Sequence, residues 1–225
     1  MKAKMKFIII IPAYNEEKRI ASVLKDVKKY KLPIIVVDDG STDNTYAVAK
    51  KARAIVLRHR VNLGKSKGAA LKTGVEAAFR LGADAVILLD SDGQHKARDL
   101  PKFIKALESG KYDIVFGSRN LSHGVPLIRF LGNKFASVLV SFLFNIYISD
   151  IPCGYKAFTK KAYKKIVWES VGYGVETEIA IRAGSTGLRR CEVSVATVYY
   201  DKYKGTTIFD AINILFDVVR WRIKL

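Results

Sequence analysis

The sequence predicts an α/β fold with a Rossmann-like, mostly parallel central sheet and helices on both faces. Three observations carry that prediction. Short apolar runs alternate with helical patterns through the first half of the chain, the breaks between them are short, and several runs stop abruptly at carboxylates or glycines. Strands of an open parallel sheet end this way, with ligand-binding groups gathered beyond their C-terminal ends.

Phe7 to Ile11 reads as a strand covered on both faces, because such strands are continuous apolar runs rather than alternating ones. Glu17 to Lys29 has the spacing of an amphipathic helix, Ile34 to Val37 is the next strand, and Thr42 to Lys51 a helix capped by Ser41 or Thr42. Ile55 to Leu57 predicts a strand, Lys65 to Arg80 a helix, Val86 to Leu89 a strand, Arg98 to Glu108 a helix and Ile114 to Phe116 a strand. The second half is less regular. Leu127 to Tyr147 predicts an apolar helix, Tyr155 to Phe158 a short strand, Val175 to Ala183 a helix, Cys191 to Val198 a strand, and Thr207 onward a last helix. No repeat or linker-like stretch interrupts residues 1–225, so a single domain is expected.

With 39 Lys and Arg against 21 Asp and Glu, the formal net charge is +18, which points toward an anionic partner: nucleic acid, an acidic membrane surface or a phosphorylated substrate. The cationic residues are spread over helices and loops, and no helix-turn-helix, zinc or ribonucleoprotein pattern accompanies them, so no nucleic acid is expected. Much of the surplus also reads as a solvated surface. Cys153 and Cys191 have no metal-like spacing, and Met1 to Lys6 leads directly into a strand pattern. Those features predict a cytoplasmic protein without a signal peptide. The longest apolar stretch, Phe135 to Ile148, is interrupted by serines and Asn145 and falls short of the ~20 residues of a spanning helix.

The strongest local motif is Asp90-Ser91-Asp92-Gly93-Gln94-His95, at the end of an apolar run. Two carboxylates placed two residues apart can share one divalent cation, Mg²⁺ or Mn²⁺, and leave coordination positions open for a diphosphate. A bare pair of this kind is also compatible with a solvated loop. The turn after the first strand is Pro12-Ala13-Tyr14-Asn15-Glu16 and lacks the G-x-G-x-x-G fingerprint, which argues against a nicotinamide or flavin cofactor. Val37-Asp38-Asp39-Gly40-Ser41 ends the second strand, where a carboxylate can accept hydrogen bonds from a ribose or a base, or can serve only the turn. Asn62-Leu63-Gly64-Lys65-Ser66-Lys67-Gly68 offers backbone N–H groups and lysines to an anion, although it also reads as a surface turn. Gly117-Ser118-Arg119 places an arginine, able to grip a phosphate bidentately, at another strand end.

Taken in order, these five motifs resemble the inverting family 2 glycosyltransferases of the GT-A fold. Asp150-Ile151-Pro152-Cys153-Gly154-Tyr155-Lys156-Ala157-Phe158 and Gly172-Tyr173-Gly174-Val175-Glu176-Thr177-Glu178 are similar to the dolichyl-phosphate mannose synthase branch and its polyprenyl-phosphate relatives. The resemblance implies a nucleotide-sugar half (1–120), an acceptor half (121–206) and a C-terminal amphipathic helix (207–225). It implies nucleotide-sugar contacts at Pro12, Ala13, Tyr14, Glu16, Val37, Asp39, Lys67 and Ser91. Asp90, Asp92 and Gln94 would hold the metal, and Arg119 would stand near the phosphate. On the acceptor side it implies Arg129, Asp150, Gly154, Glu178, Lys202 and Lys204. The branch usually follows its late strand with an arginine and a serine-lysine pair, where this chain has Lys202 and then Lys204-Gly205-Thr206-Thr207.

The expected activity is metal-dependent transfer of a hexose from a nucleotide sugar, GDP-mannose favoured over UDP-glucose, to a polyprenyl or dolichyl phosphate. A sugar hydroxyl is the alternative acceptor, and it would need Asp150, Glu176 or Glu178 as general base, which an already anionic phosphate does not. In the tail, Asp210, Asn213, Asp217, Arg220 and Lys224 form one polar stripe, and Ile208, Phe209, Ile212, Leu215, Phe216, Val218, Val219 and Ile223 fill the rest. That much apolar surface must be covered by the domain itself, by another copy or membrane partner, or by the cytoplasmic face of an anionic bilayer with Arg220, Arg222 and Lys224 at the head groups.

Overall fold

The computed structural model describes residues 4–61, 66–119, 137–144, 146–198 and 216–223. Along the chain lie β1 (Phe7–Ala13), α1 (Glu17–Lys28), β2 (Ile34–Asp38), α2 (Thr45–Lys51), β3 (Ile55–Arg58), α3 (Lys67–Arg80) and β4 (Ala85–Leu88). A short 3₁₀ turn (Ala97–Asp99) leads into α4 (Leu100–Glu108), followed by β5 (Ile114–Arg119). Residues 137–144 are helical (α5). Then come β6 (Lys156–Thr159), α6 (Lys160–Ile166), α7 (Val175–Ser185) and β7 (Arg190–Val195), and residues 216–223 form a last helix (α8).

The seven strands form one sheet in the order β3-β2-β1-β4-β6-β5-β7. All neighbouring pairs are parallel except those of β6, which runs antiparallel to both β4 and β5. Successive strand residues point to opposite faces, and the core divides accordingly. Ile8, Ile10, Ile35, Val37, Val86 and Leu88 pack against Leu71, Val75 and Phe79 of α3 and Ile179 of α7. Ile9, Ile11, Ile34, Val36 and Ile87 meet Ile20, Leu24 and Val27 of α1 and Phe103 and Leu107 of α4 on the other face.

Most element boundaries differ from expectation by a few residues, each for an identifiable reason. β1 continues through Pro12 because its pairing with β4 stops at Ile10↔Leu88, so only β2 runs beside the proline. The helix expected from Thr42 starts at Thr45, because the preceding backbone is held by side chains instead. Thr42 N–H donates to Asn15 Oδ1 (2.9 Å), Asn44 N–H to Glu17 Oε2 (3.0 Å) and Thr45 N–H to Asp43 Oδ1 (2.9 Å). The helix expected from Arg98 opens as the 3₁₀ turn, and Pro101 sits in the first turn of α4, where its missing N–H costs nothing. α6 escaped notice in the sequence, although its signal is present: Thr159 accepts from Ala162 N–H as an N-cap (3.1 Å). Of the expected helices 127–147 and 207 onward, 137–144 and 216–223 are helical, 146–148 are not, and the remainder lies outside the described residues.

Gly74 sets how closely α3 approaches the sheet, since a Cβ there would lie 2.5 Å from Ile10 Cγ2 and 3.0 Å from Val37 Cγ2. Ile10 and Val37 are wholly buried and have nowhere to move. Gly74→Val is therefore expected to destabilise the protein by about 1–3 kcal/mol through overpacking, read as a lower denaturant midpoint with an unchanged slope.

Candidate functional site

Four parallel strand ends converge on one edge of the sheet, and each delivers a residue that the sequence singles out. β1 ends at Ala13, β2 runs into Asp39, β4 into Asp90 and β5 ends at Arg119. The first two loops are pinned together: Asp39 N–H donates to Ala13 O (2.9 Å), Asn15 N–H to Ser41 Oγ (3.0 Å) and Glu16 N–H to Thr45 Oγ1 (2.7 Å). Asn15 (φ 52°) and Gly40 (φ 73°) take left-handed backbone there, a conformation that asparagine and glycine adopt most readily. Tyr14 projects from this lip and is 45% exposed, whereas Pro12, Val37 and Glu16 lie inside it.

The two aspartates after β2 separate into different roles. Asp38 serves the turn, accepting Ser41 N–H (3.3 Å) and lying 3.0 Å from Arg58 Nε. Asp39 is buried and faces the site. His59 Nδ1 stands 2.8 Å from its Oδ1, and Ser66 Oγ donates to its Oδ2. His59 is held in turn by Thr73 (3.0 Å), so the Asp39 carboxylate is fixed in orientation by α3 and the strand beside it. Nothing in the sequence marks His59 as part of the site.

Asp90 is met by Lys67 and His95. Lys67 Nζ, at the start of α3, lies 2.7 Å from Asp90 Oδ1 and 2.7 Å from Glu176 Oε1 on α7, so three distant segments meet at one ammonium. His95 Nε2 approaches Asp90 Oδ2 at 3.6 Å, and its ring packs over Tyr155. Burial alone would raise the pKa of Asp90, but Lys67 and His95 outweigh it and hold the carboxyl well below the usual range. The opposite holds for Asp92, which burial and the neighbouring charge of Asp90 push up. Lys67 is buried too, yet Asp90 and Glu176 raise its pKa above the ordinary lysine value and keep it charged.

Asp92 accepts the backbone N–H of Gln94 (2.9 Å), and Gly93 makes the tight turn between them with φ 74°. This donor set fits a divalent cation. Two hard carboxylates repel each other here, and among the described residues no third His, Cys, Asp or Glu completes a protein cage. The remaining positions would fall to phosphate oxygens and water, the pattern Mg²⁺ favours.

Gly154 explains itself at this point: a Cβ on it would lie 2.2 Å from Asp90 Oδ2, so only glycine lets the chain pass the carboxylate. The same turn carries Asp150, which is buried and grips Arg119 bidentately, Nε to Oδ2 at 2.7 Å and Nη2 to Oδ1 at 2.8 Å, with Arg119 N–H adding a third bond at 3.0 Å. The fork of Arg119 thus faces a carboxylate of its own chain. Glu178 is placed elsewhere. Fully buried, it accepts from Glu169 N–H, Ser170 N–H, Ser170 Oγ and Arg182 Nε, and it fastens the 169–170 loop to α7. The same loop packs on Gly68, where Trp168 Nε1 donates to Gly68 O (2.9 Å). Burial and Asp150 push the Cys153 thiol up to about 12, which removes it as a nucleophile. Arg129, Lys202 and Lys204 lie outside the described residues.

Residues 8–167 match the sequence model of glycosyl transferase family 2. Among curated relatives, the UDP-N-acetylglucosamine–dolichyl-phosphate N-acetylglucosaminyltransferase of Methanococcus voltae is 32% identical, over 92% of this chain and 92% of its own length. The polyprenol monophosphomannose synthase of Mycolicibacterium smegmatis is 29% identical over 96% of this chain and 87% of its own. In three dimensions the chain is similar to glucosyl-3-phosphoglycerate synthase from Mycobacterium tuberculosis, crystallised with Mn²⁺, UDP and phosphoglyceric acid. That likeness has a TM-score of 0.76 at 21% identity and covers 96% of this chain and 79% of the other. A family match over most of the chain, on a sheet of this topology, makes the chain a member of glycosyl transferase family 2, a glycosyltransferase of the GT-A fold.

Proposed function

We propose that the chain transfers a hexosyl group, with inversion, from a nucleotide sugar to a polyprenyl phosphate, in a reaction that depends on Mg²⁺ or Mn²⁺. The observation that carries this reading is the engagement of every candidate base. Asp150 is held by Arg119, Glu176 by Lys67, and Glu178 by four donors. A sugar hydroxyl would need one of them to take its proton, whereas a phosphate monoester arrives deprotonated. The names of the Methanococcus and Mycolicibacterium relatives, both built on polyprenyl-type phosphates, support the same acceptor. They divide over the sugar. GDP-mannose, the donor favoured on sequence grounds, and UDP-N-acetylglucosamine therefore head the donors to test.

Asp90 and Asp92 would hold the cation, which when bound supplies Lewis-acid stabilisation to the departing diphosphate. Asp39, fixed by His59 and Ser66, would accept hydrogen bonds from the nucleoside. Lys67 would present its charge to the diphosphate, and the Arg119–Asp150 pair would sit beside the attacking phosphate. An oxyanion that attacks from the face opposite the diphosphate inverts the anomeric centre, so an α-linked donor gives a β-linked product.

Membrane association follows from the acceptor and has its own support in α8. Val218 and Trp221 are buried against the domain, while Phe216 (72%), Val219 (55%) and Ile223 (84%) are exposed. The inner face is thus accounted for by packing, and the outer apolar face, flanked by Arg220 and Arg222, suits an anionic bilayer surface. No described helix is long and apolar enough to cross a membrane.

Assayed with candidate donors, the protein is expected to glycosylate a polyprenyl phosphate and not the corresponding polyprenol. EDTA should abolish the reaction, Asp92→Asn should slow it about 100-fold or more, and activity should fall below about pH 6 as the acceptor phosphate takes up a proton. Transfer to a sugar hydroxyl alone would overturn the acceptor assignment. Asp39→Ala is expected to weaken donor binding about 10–100-fold, the loss of a hydrogen bond to a charged group, with the order of metal preference unchanged in titration calorimetry. The pair Phe216→Glu and Ile223→Glu, which spares the buried Trp221, should reduce sedimentation with anionic liposomes and leave the melting temperature within a few degrees. Undiminished sedimentation would acquit α8 as the anchor.

A further inference from the structure

Lys156 is the one lysine in the described residues that is wholly inside the protein, 1% exposed, on the strand between β4 and β5. Among the described residues, no carboxylate lies within salt-bridge reach of it. Its ammonium donates to the carbonyls of Ile151 (3.2 Å) and Cys153 and lies 5.8 Å from the Phe116 ring centre. Removing a lysine from water is costly, and burial here pulls its pKa down against the fields of Glu176 and Asp150. Leucine or methionine would fill this core position at no such cost, so the charge must be spent on something other than packing.

What it is spent on is the turn 150–154. The two carbonyls belong to that turn, and the turn ends by pressing Gly154 onto Asp90 Oδ2 and begins with Asp150 locked to Arg119. Three backbone links complete the frame: Cys153 N–H to Asp150 O, Gly117 N–H to Tyr155 O, and the β6 pairings Leu88↔Lys156 and Phe116↔Lys156, which put residue 156 beside both strand ends that carry site residues.

We propose that Lys156 is a positioning residue: by tying down the 151–153 carbonyls it seats Gly154 against Asp90 and so sets where the first metal carboxylate stands. This rests on the reading of Asp90 as a metal ligand, and it differs from a general stabilising role because it acts on metal affinity ahead of nucleoside binding. The backbone partners of Lys156 accept but cannot donate, so Lys156→Met leaves two buried carbonyls without their shared donor and frees the turn to move.

The test is Mn²⁺ titration of the full chain by electron paramagnetic resonance, with UDP and separately GDP, alongside metal-free nucleotide binding and steady-state kinetics. Lys156→Met is expected to weaken Mn²⁺ binding and lower kcat about 10–100-fold, the range seen for residues behind a metal ligand, with metal-free nucleotide affinity unchanged. Gly154→Ala should give the same signature from the other side of the contact, and the double variant should be no worse than the worse single, since both act through Asp90. Should Lys156→Met be too unstable to purify, Lys156→Gln, which keeps a donor for the carbonyls, is expected to shift Mn²⁺ affinity in the same direction by less. Unchanged Mn²⁺ affinity in whichever variant folds, or additive losses in the double variant, overturns the proposal. A wild-type protein indifferent to EDTA overturns instead the reading of Asp90 on which it rests.

Discussion

Like charge at the end of a buried strand is the constraint around which the candidate site is arranged. Asp90 and Asp92 follow four wholly apolar residues, so the backbone delivers them to a place where water alone does not solvate both. The protein answers by bringing the ammonium of Lys67 from the start of α3, with the His95 ring approaching from the adjoining loop. That ammonium needs an anchor of its own. Lys67 is shared with Glu176 of α7, and the 169–170 loop before that helix is fastened by Glu178 and packed on Gly68 next to Lys67. Helices that are far apart in sequence are thereby placed by the electrostatic needs of one carboxylate.

The glycosyltransferase fold solves a second problem with the same residues. The diphosphate of the proposed donor would add negative charge to this edge, and two bare aspartates would repel it. Lys67 keeps Asp90 ionised and partly neutralised before anything binds, while Asp92 is left with a raised pKa. The carboxylate proposed to meet the nucleoside is held by different chemistry. Asp39 is oriented by a histidine and a serine, which fix its direction.

How much of this was legible in the sequence depends on whether the signal is local. Strands and helices of the first half are visible because their periodicities are local, and the aspartates at their ends are visible because strand ends in such sheets are where ligands bind. The error at Thr42 came from side chains competing with the helix for backbone groups, which residue type alone does not decide, and Arg98 falls in a 3₁₀ turn ahead of the α-helix. His59, the Asp150–Arg119 clasp and the burial of Glu178 were illegible for a deeper reason: each depends on a partner between 8 and 31 residues away in a direction set only by folding. Lys156 is the sharpest case, since a lysine in a short strand pattern reads as a solvated edge, and only the sheet order puts it in the centre.

That sheet order also dictates when the enzyme can come into being. Until residue 159 has been synthesised, β4 is an open edge of a four-stranded parallel sheet and β5 has no neighbour in it at all, because β6 is the strand that joins them. The first four strands can assemble early, on contacts close in sequence. Closure has to wait for a later segment to thread between two strands already made, and pairings between distant segments are slow to form. During that interval Val86, Ile87 and Val115 border unpaired backbone, the arrangement most prone to pairing with another chain. The same insertion that joins the strand end of Asp90 to that of Arg119 ends this exposure, and the outer edge of β5 is covered only when β7 follows.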